Sequence, residues 1–203
     1  MIKAVLRFVA SVLIVSGILM IGDAGATVLW QEPVSSVLAK RQQAQLDEAL
    51  ANPAQRRRVL ERKPLPGDSI GRIRLPSLKR SYFVIEGTKT GDLRKGPGHY
   101  GDTPLPGQRG TVAIAGHRTT YGAPFRSIDK LRRGDPIRIE MSYGRFTYRV
   151  EKTRIVDPSE VSVKRRVAYD RLILSACHPL YSAAQRIVVF ARLERRDRKT
   201  TVK

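Results

Sequence analysis

One cysteine, three histidines and a large excess of basic side chains carry the reactive chemistry of this chain. Cys177 closes the apolar run Leu172-Ile173-Leu174-Ser175-Ala176, and Pro179 then stops any continuation of a strand ladder. His117 follows the apolar run Val112-Ala113-Ile114-Ala115 across Gly116, and Arg186 opens the run Ile187-Val188-Val189-Phe190. Each of the three therefore stands at a strand end, where the chain turns and side chains reach a cleft. Neighbouring strands joined by a short loop would set Cys177 and Arg186 side by side. A thiolate is the nucleophilic form of cysteine, and a nearby imidazolium favours it. The same imidazole can later protonate a leaving amine. Attack on an amide carbonyl makes an oxyanion, for which a fixed guanidinium is a donor. The three residue types together describe an acyl-transfer site.

The other histidines compete less well. His178 adjoins Cys177, but successive strand residues face opposite sides, so its ring is the weaker candidate base. His99 lies in Gly96-Pro97-Gly98-His99-Tyr100 and reads as a structural loop histidine. A lone cysteine also fits a small buried apolar position; the neighbours of Cys177 favour the nucleophile. With a single cysteine, an intrachain disulfide and a zinc site of several thiolates are both excluded.

The elements that must position these residues are mainly β. Short apolar or alternating runs recur between Gly and Pro turns, at residues 70–75, 82–86, 111–115, 137–141, 146–156, 172–177 and 187–193. Ser142-Tyr143-Gly144-Arg145 reads as a hairpin turn. Residues 123–133 are the best helical interruption, with Phe125, Ile128 and Leu131 on one side and Gly134 as a stop. Seven or eight short strands with few helices predict a closed or nearly closed barrel over residues 64–194. The charged residues 195–203 read as a disordered tail.

Residues 1–34 hold the export signal. Lys3 and Arg7 precede an apolar run over residues 8–22, which resumes after Asp23 and extends to Trp30. Its length suits a membrane span. Ala24-Gly25-Ala26 also fits a signal-peptide cleavage site, but the apolar run continues beyond it, and an uncleaved anchor is the preferred reading. The basic residues before the run place the N-terminus in the cytoplasm and the rest of the chain outside. Residues 35–63 have helical composition, and Pro53 argues against one unbroken helix. They are expected to form a juxtamembrane helical stalk, ending at Pro64-Leu65-Pro66-Gly67. The chain of 203 residues carries a formal net charge of +20, a field that attracts anions such as lipid headgroups or acidic wall polymers. Aromatic residues are only 6%, and with the export segment this counts against base-stacking recognition of nucleic acid.

The segment from Ile173 to Pro179 followed by Arg186 resembles the sortase signature of a strand, Thr-Cys and then Arg. Gly116-His117-Arg118-Thr119-Thr120-Tyr121-Gly122 is similar to the histidine segment of actinobacterial class E sortases. Trp30-Gln31-Glu32-Pro33-Val34, Gly67-Asp68-Ser69-Ile70-Gly71 and the His99 loop are similar to that class too. The resemblance implies an eight-stranded β-barrel without a cofactor, resident metal or nucleic-acid partner, behind an N-terminal transmembrane helix and helical stalk. It implies Cys177, His117 and Arg186 as catalytic residues. It also implies cleavage of an LAxTG- or LPxTG-like C-terminal sorting signal between Thr and Gly, then transfer of the surface protein to a cell-wall precursor or pilin amine. Tyr121, Ala115, Val161, Ile173 and Ser175 become candidates for substrate contacts. Two positions depart from the family pattern. Ala176 stands where Thr usually precedes the cysteine, implying a weaker hydrogen bond to substrate, and Ile173 replaces a second Thr.

Two other classes remain open. A Cys–His hydrolase would give the same acyl group to water. A basic, membrane-tethered wall-binding module would need neither the thiol nor the imidazole.

Overall fold

The computed structural model describes residues 2–30 and 33–198. Gln31 and Glu32 of the class E-like run, the Trp30 side chain and residues 199–203 of the expected tail lie outside the described residues.

Eight strands close into a barrel: β1 (Ser69–Leu75), β2 (Arg80–Glu86), β3 (Gly98–His99), β4 (Thr111–Ala115), β5 (Pro136–Met141), β6 (Gly144–Val156), β7 (Arg171–His178) and β8 (Gln185–Arg198), in the order β1-β2-β3-β4-β7-β8-β6-β5. Seven coincide with the apolar runs of the sequence. The eighth, β3, occupies the Gly-Pro-Gly-His segment that reads as a loop. Its two residues pair parallel to β2 and antiparallel to β4, and so bridge a gap that would otherwise leave the barrel open. His99 is held there as the structural residue it was expected to be. It is 1% exposed, with Nδ1 2.8 Å from Glu86 Oε2 and Nε2 3.0 Å from the Pro104 carbonyl.

Strand alternation divides the side chains into two sets. Leu172, Leu174 and Ala176 of β7 join Val112 and Ile114 of β4 and Ile187, Val189 and Ala191 of β8 in the barrel interior. The opposite parity builds a second, smaller apolar cluster on the outside of the same three strands, from Ala113, Ile173, Val188 and Phe190 with Val156 of β6.

Two expectations need correction. Residues 123–133 do not form an α-helix; one 3-10 turn spans Ile128–Lys130. Phe125, Ile128 and Leu131 are nonetheless buried in the interior. A strict spacing of three matches the three-residue period of a 3-10 turn rather than the 3.6 of an α-helix. Strand β8 also runs four residues into the expected tail, pairing with β6 as far as Gly144↔Arg198. Charge pairs support this stretch in place of apolar burial: Arg196 binds Asp170, and Glu194 lies 2.7 Å from Arg149 Nε.

The helices precede the barrel as α1 (Ile2–Trp30), α2 (Pro33–Ala51) and α3 (Pro53–Leu60). Within α1, residues Ile2–Ala26 are long and apolar enough to cross a membrane, and Leu13, Ile18 and Leu19 are among its exposed side chains. The helical stretch breaks at Pro53, as its missing N–H requires. Asn52 caps the new helix, its Oδ1 accepting from the N–H groups of Ala54 and Gln55.

Both α2 and α3 pack on the barrel. Val59 is fully buried in the main core, and Leu46 packs with Phe83 and Ile85. Because β3 is so short, Phe83 of β2 has no strand partner on that side. Gln43 of α2 takes that place: its Oε1 accepts from Phe83 N at 2.6 Å, and its Nε2 donates to Phe83 O at 3.3 Å and Lys95 O at 2.8 Å. A side-chain amide thus satisfies an exposed sheet edge as a neighbouring strand would.

Candidate active site

Cys177 and Arg186 are direct cross-strand partners in the antiparallel β7–β8 ladder. Paired positions share a face of the sheet, so both project to the outside with Ile173, Ser175 and Val188. Cys177 is half-buried. The guanidinium of Arg186 is steadied from below, its Nη1 donating to the carbonyls of Ala183 at 2.8 Å and Gln185 at 2.9 Å.

β4 lies on the other flank of β7 and runs parallel to it, with Ala115 opposite Ser175. The ladder ends one residue later, where Gly116 N donates to Ser175 O at 3.0 Å. Continuing that register carries His117 to the level of Cys177. The glycine before the histidine is required by packing. A Cβ at Gly116 would stand 2.6 Å from the Phe125 ring, which is fully buried beneath the loop. The chain then turns back through Tyr121, a non-glycine residue at φ +52°, and Phe125 N donates to His117 O at 3.0 Å.

His117 is half-buried, and its Nε2 is buried without a hydrogen-bond partner among the described residues. Its ring centroid lies 5.0 Å from that of Tyr121. Arg94, at the end of the short helix α4 (Thr90–Leu93), stands 5.4 Å from the Tyr121 ring. Burial, and secondarily the positive charge of Arg94, hold the His117 pKa below the ordinary imidazole value. The folded protein therefore binds this proton less tightly than the unfolded chain. His117 subtracts from stability as pH falls below about 6.5 and stops doing so above it. We expect an imidazole titration followed by NMR to place His117 below that value. Arg94→Gln, which removes a like charge, shifts the midpoint upward without restoring it fully, because burial is the larger cause. A downward or absent shift would contradict this electrostatic account.

A cavity of about 190 Å³ opens beside Arg186, lined by Ile173, Ser175 and Val188 below and by Val161, Val163 and Tyr100 around the rim. Three of the expected substrate-contact residues, Val161, Ile173 and Ser175, thus share one groove with Arg186. Ala115 is buried next to Ser175 on β4. Tyr121 stands apart, lining a different cavity of about 560 Å³ between the barrel and α2 with Gln43 and Phe83. The expectation attached to Ala176 is corrected. It is 4% exposed and faces the barrel interior, so a hydroxyl there would point away from the groove.

Sequence reading passed over two contributors. Asp157 lines the groove with Arg186; hydrogen bonds from the Ser159 hydroxyl and N–H, aided by the charge of Arg186, keep its carboxyl below the usual range. Arg118 stands directly after His117, which was the available signal. It is 4% exposed and reaches across to the end of β7. Among the described residues there is no cluster of three or more His, Cys, Asp or Glu able to hold a metal ion.

A closed eight-stranded barrel with a thiol and a guanidinium at one rim, reached by a histidine loop, is the architecture of sortases. Residues 73–194 match the Sortase domain family, and the chain belongs to it. It is 35% identical to Sortase D of Bacillus subtilis over 134 residues, 64% of this chain and 66% of that protein. Among solved structures, a Clostridium perfringens Sortase D5 transpeptidase superimposes with a TM-score of 0.67 at 26% identity, covering 79% of this chain and all of that one. Sortase E1 from Streptomyces coelicolor, solved with a tripeptide in the active site, gives 0.61 at 27% identity over 68% of this chain and 94% of that one. The matches span 56% to 66% of the length of the curated relatives.

Proposed function

We propose that this protein is a membrane-anchored sortase transpeptidase acting on a C-terminal sorting signal of LAxTG or LPxTG type. In this reading α1 is a single-pass anchor, residues 35–63 form a docked stalk, and residues 64–194 form the catalytic barrel outside the membrane. Lys3 and Arg7 stay on the cytoplasmic side. The Cys177 thiolate attacks the Thr carbonyl carbon of the signal, and Arg186 donates to the resulting oxyanion. His117 hands its proton to the Gly nitrogen as the Thr–Gly bond breaks, leaving a thioester on Cys177. An amine of a cell-wall precursor or pilin then attacks the thioester and loses its proton to His117, and the thiolate departs. The partners implied are surface proteins carrying the signal and the amine acceptor.

The observation that carries the reading is the β7–β8 register. It sets Cys177 opposite Arg186 on the face that also bears the Ile173–Ser175 groove. The test uses the full chain in detergent with LAxTG and LPxTG peptides, with and without an amine acceptor. Cleavage between Thr and Gly, with the acyl group passing to the amine, is the expected result. Release to water even with amine present would make it a Cys–His hydrolase. No cleavage of any sorting peptide would leave the wall-binding module.

A further inference from the structure

The parallel ladder that aligns β4 with β7 stops at Gly116, one residue short of His117. Beyond it, the Arg118 side chain makes the next hydrogen bonds across to β7. Arg118 Nη1 donates to the Cys177 carbonyl at 3.4 Å and meets His178 Nδ1 at 3.0 Å. Its Nε donates to Arg126 O at 3.3 Å, and its Nη2 lies 3.0 Å from Asp129 Oδ1. Every guanidinium nitrogen is thus engaged, at a position where burying a cation without partners is costly.

The His178 contact fixes more than position. A guanidinium has no acceptor, so His178 Nδ1 must present its lone pair and the ring proton lies on Nε2. With Nδ1 occupied, that nitrogen cannot take the Cys177 proton. The imidazole beside the nucleophile thereby becomes a brace rather than a rival base.

We propose that Arg118 is a positioning residue of the acyl-transfer site: by holding the Cys177 carbonyl and the Nε2–H tautomer of His178, it keeps the His117 loop in register with the nucleophile beyond the end of the strand ladder. The inference rests on the reading of Cys177 as the nucleophile. A lysine carries its three donors on one nitrogen and cannot spread them over the planar fork that spans two β7 groups, Arg126 and Asp129 together.

Two measurements on the full chain in detergent test it. The first is ¹⁵N-histidine NMR, with the three histidines assigned by substitution; it needs neither a substrate nor a variant of Arg118. Wild-type His178 should be the Nε2–H tautomer, and an Nδ1–H tautomer overturns the proposal even if Arg118 variants fail to fold. The second is sorting-peptide kinetics. Arg118→Met should lower kcat about 10²-fold, as misplacement of a catalytic group does, with little change in KM. Arg118→Lys should recover part of that loss. Combining Arg118→Met with His178→Ala should cost little more than the worse single change, because the two act as one unit. Additive losses, or a folded Arg118→Met with wild-type kcat, overturn it. Absence of peptide cleavage in the wild type would defeat the sortase reading, whereas the tautomer measurement reports on the Arg118–His178 contact whether or not any peptide is cleaved.

Discussion

Cys177→Ala abolishes cleavage of sorting-signal peptides, with a loss of at least about 10⁴-fold, the scale on which removing a covalent nucleophile acts. The chain has one cysteine, so alkylation by iodoacetamide must reproduce the variant. Agreement between a substitution and a chemical block excludes a folding artefact, because alkylation acts on protein already folded. Cys177 is half-buried rather than sealed in the core, so the reagent has access to the sulfur. At this end of the strand inward Ala176 is buried, while outward Ser175 and Cys177 on either side of it are only partly buried. Mass spectrometry of a slow peptide substrate should find the acyl group on residue 177. Cleavage that survives complete alkylation would end the covalent mechanism.

Arg186→Ala lowers kcat by roughly 10²–10³-fold, the usual effect of deleting one preorganised oxyanion donor. Preorganisation has a visible basis. The carbonyls of Ala183 and Gln185 hold Nη1, so the guanidinium does not have to be ordered when charge develops. Arg186→Lys should recover little of this, since an ammonium on a flexible stem cannot satisfy the same carbonyls and the oxyanion in one plane. Single-turnover measurement of thioester formation is the discriminating readout: the defect belongs to the attack step, where the oxyanion first forms. A variant that binds peptide weakly but acylates at the normal rate would instead make Arg186 a substrate-binding group. Asp157, kept ionised beside this cation, balances its charge at the rim and is the natural control position.

The sequence alone located most of the strands and the residues of a candidate acyl-transfer site. Short apolar or alternating runs located seven of the eight strands: burial of one face writes a period of two into β5, and burial of both faces makes β4 and most of β7 continuously apolar. The family signature around Cys177 and Arg186 was legible because both lie on adjacent strands joined by a short connection. The N-terminal helix, long and apolar enough to cross a membrane, was legible from the apolar run over residues 8–22 and its resumption after Asp23.

Tertiary structure decided the rest, wherever a contact joins distant segments without leaving a local pattern. The two-residue strand β3 has no periodicity to detect; it exists because Glu86 and Ile114 lie within reach on either side. The charged end of β8 reads as a tail until its ion pairs with β6 and Asp170 are seen. Gln43 and Arg118 each satisfy groups tens of residues away in the chain, Phe83 and Cys177 respectively, and nothing next to either residue announces the partner. Ala176 shows the reverse: the family pattern of Thr before the cysteine implied a hydrogen bond to substrate at this position, but strand parity turns it into the barrel. Local sequence fixes which face a residue takes within its own strand. Only the closed barrel determines what stands opposite that face.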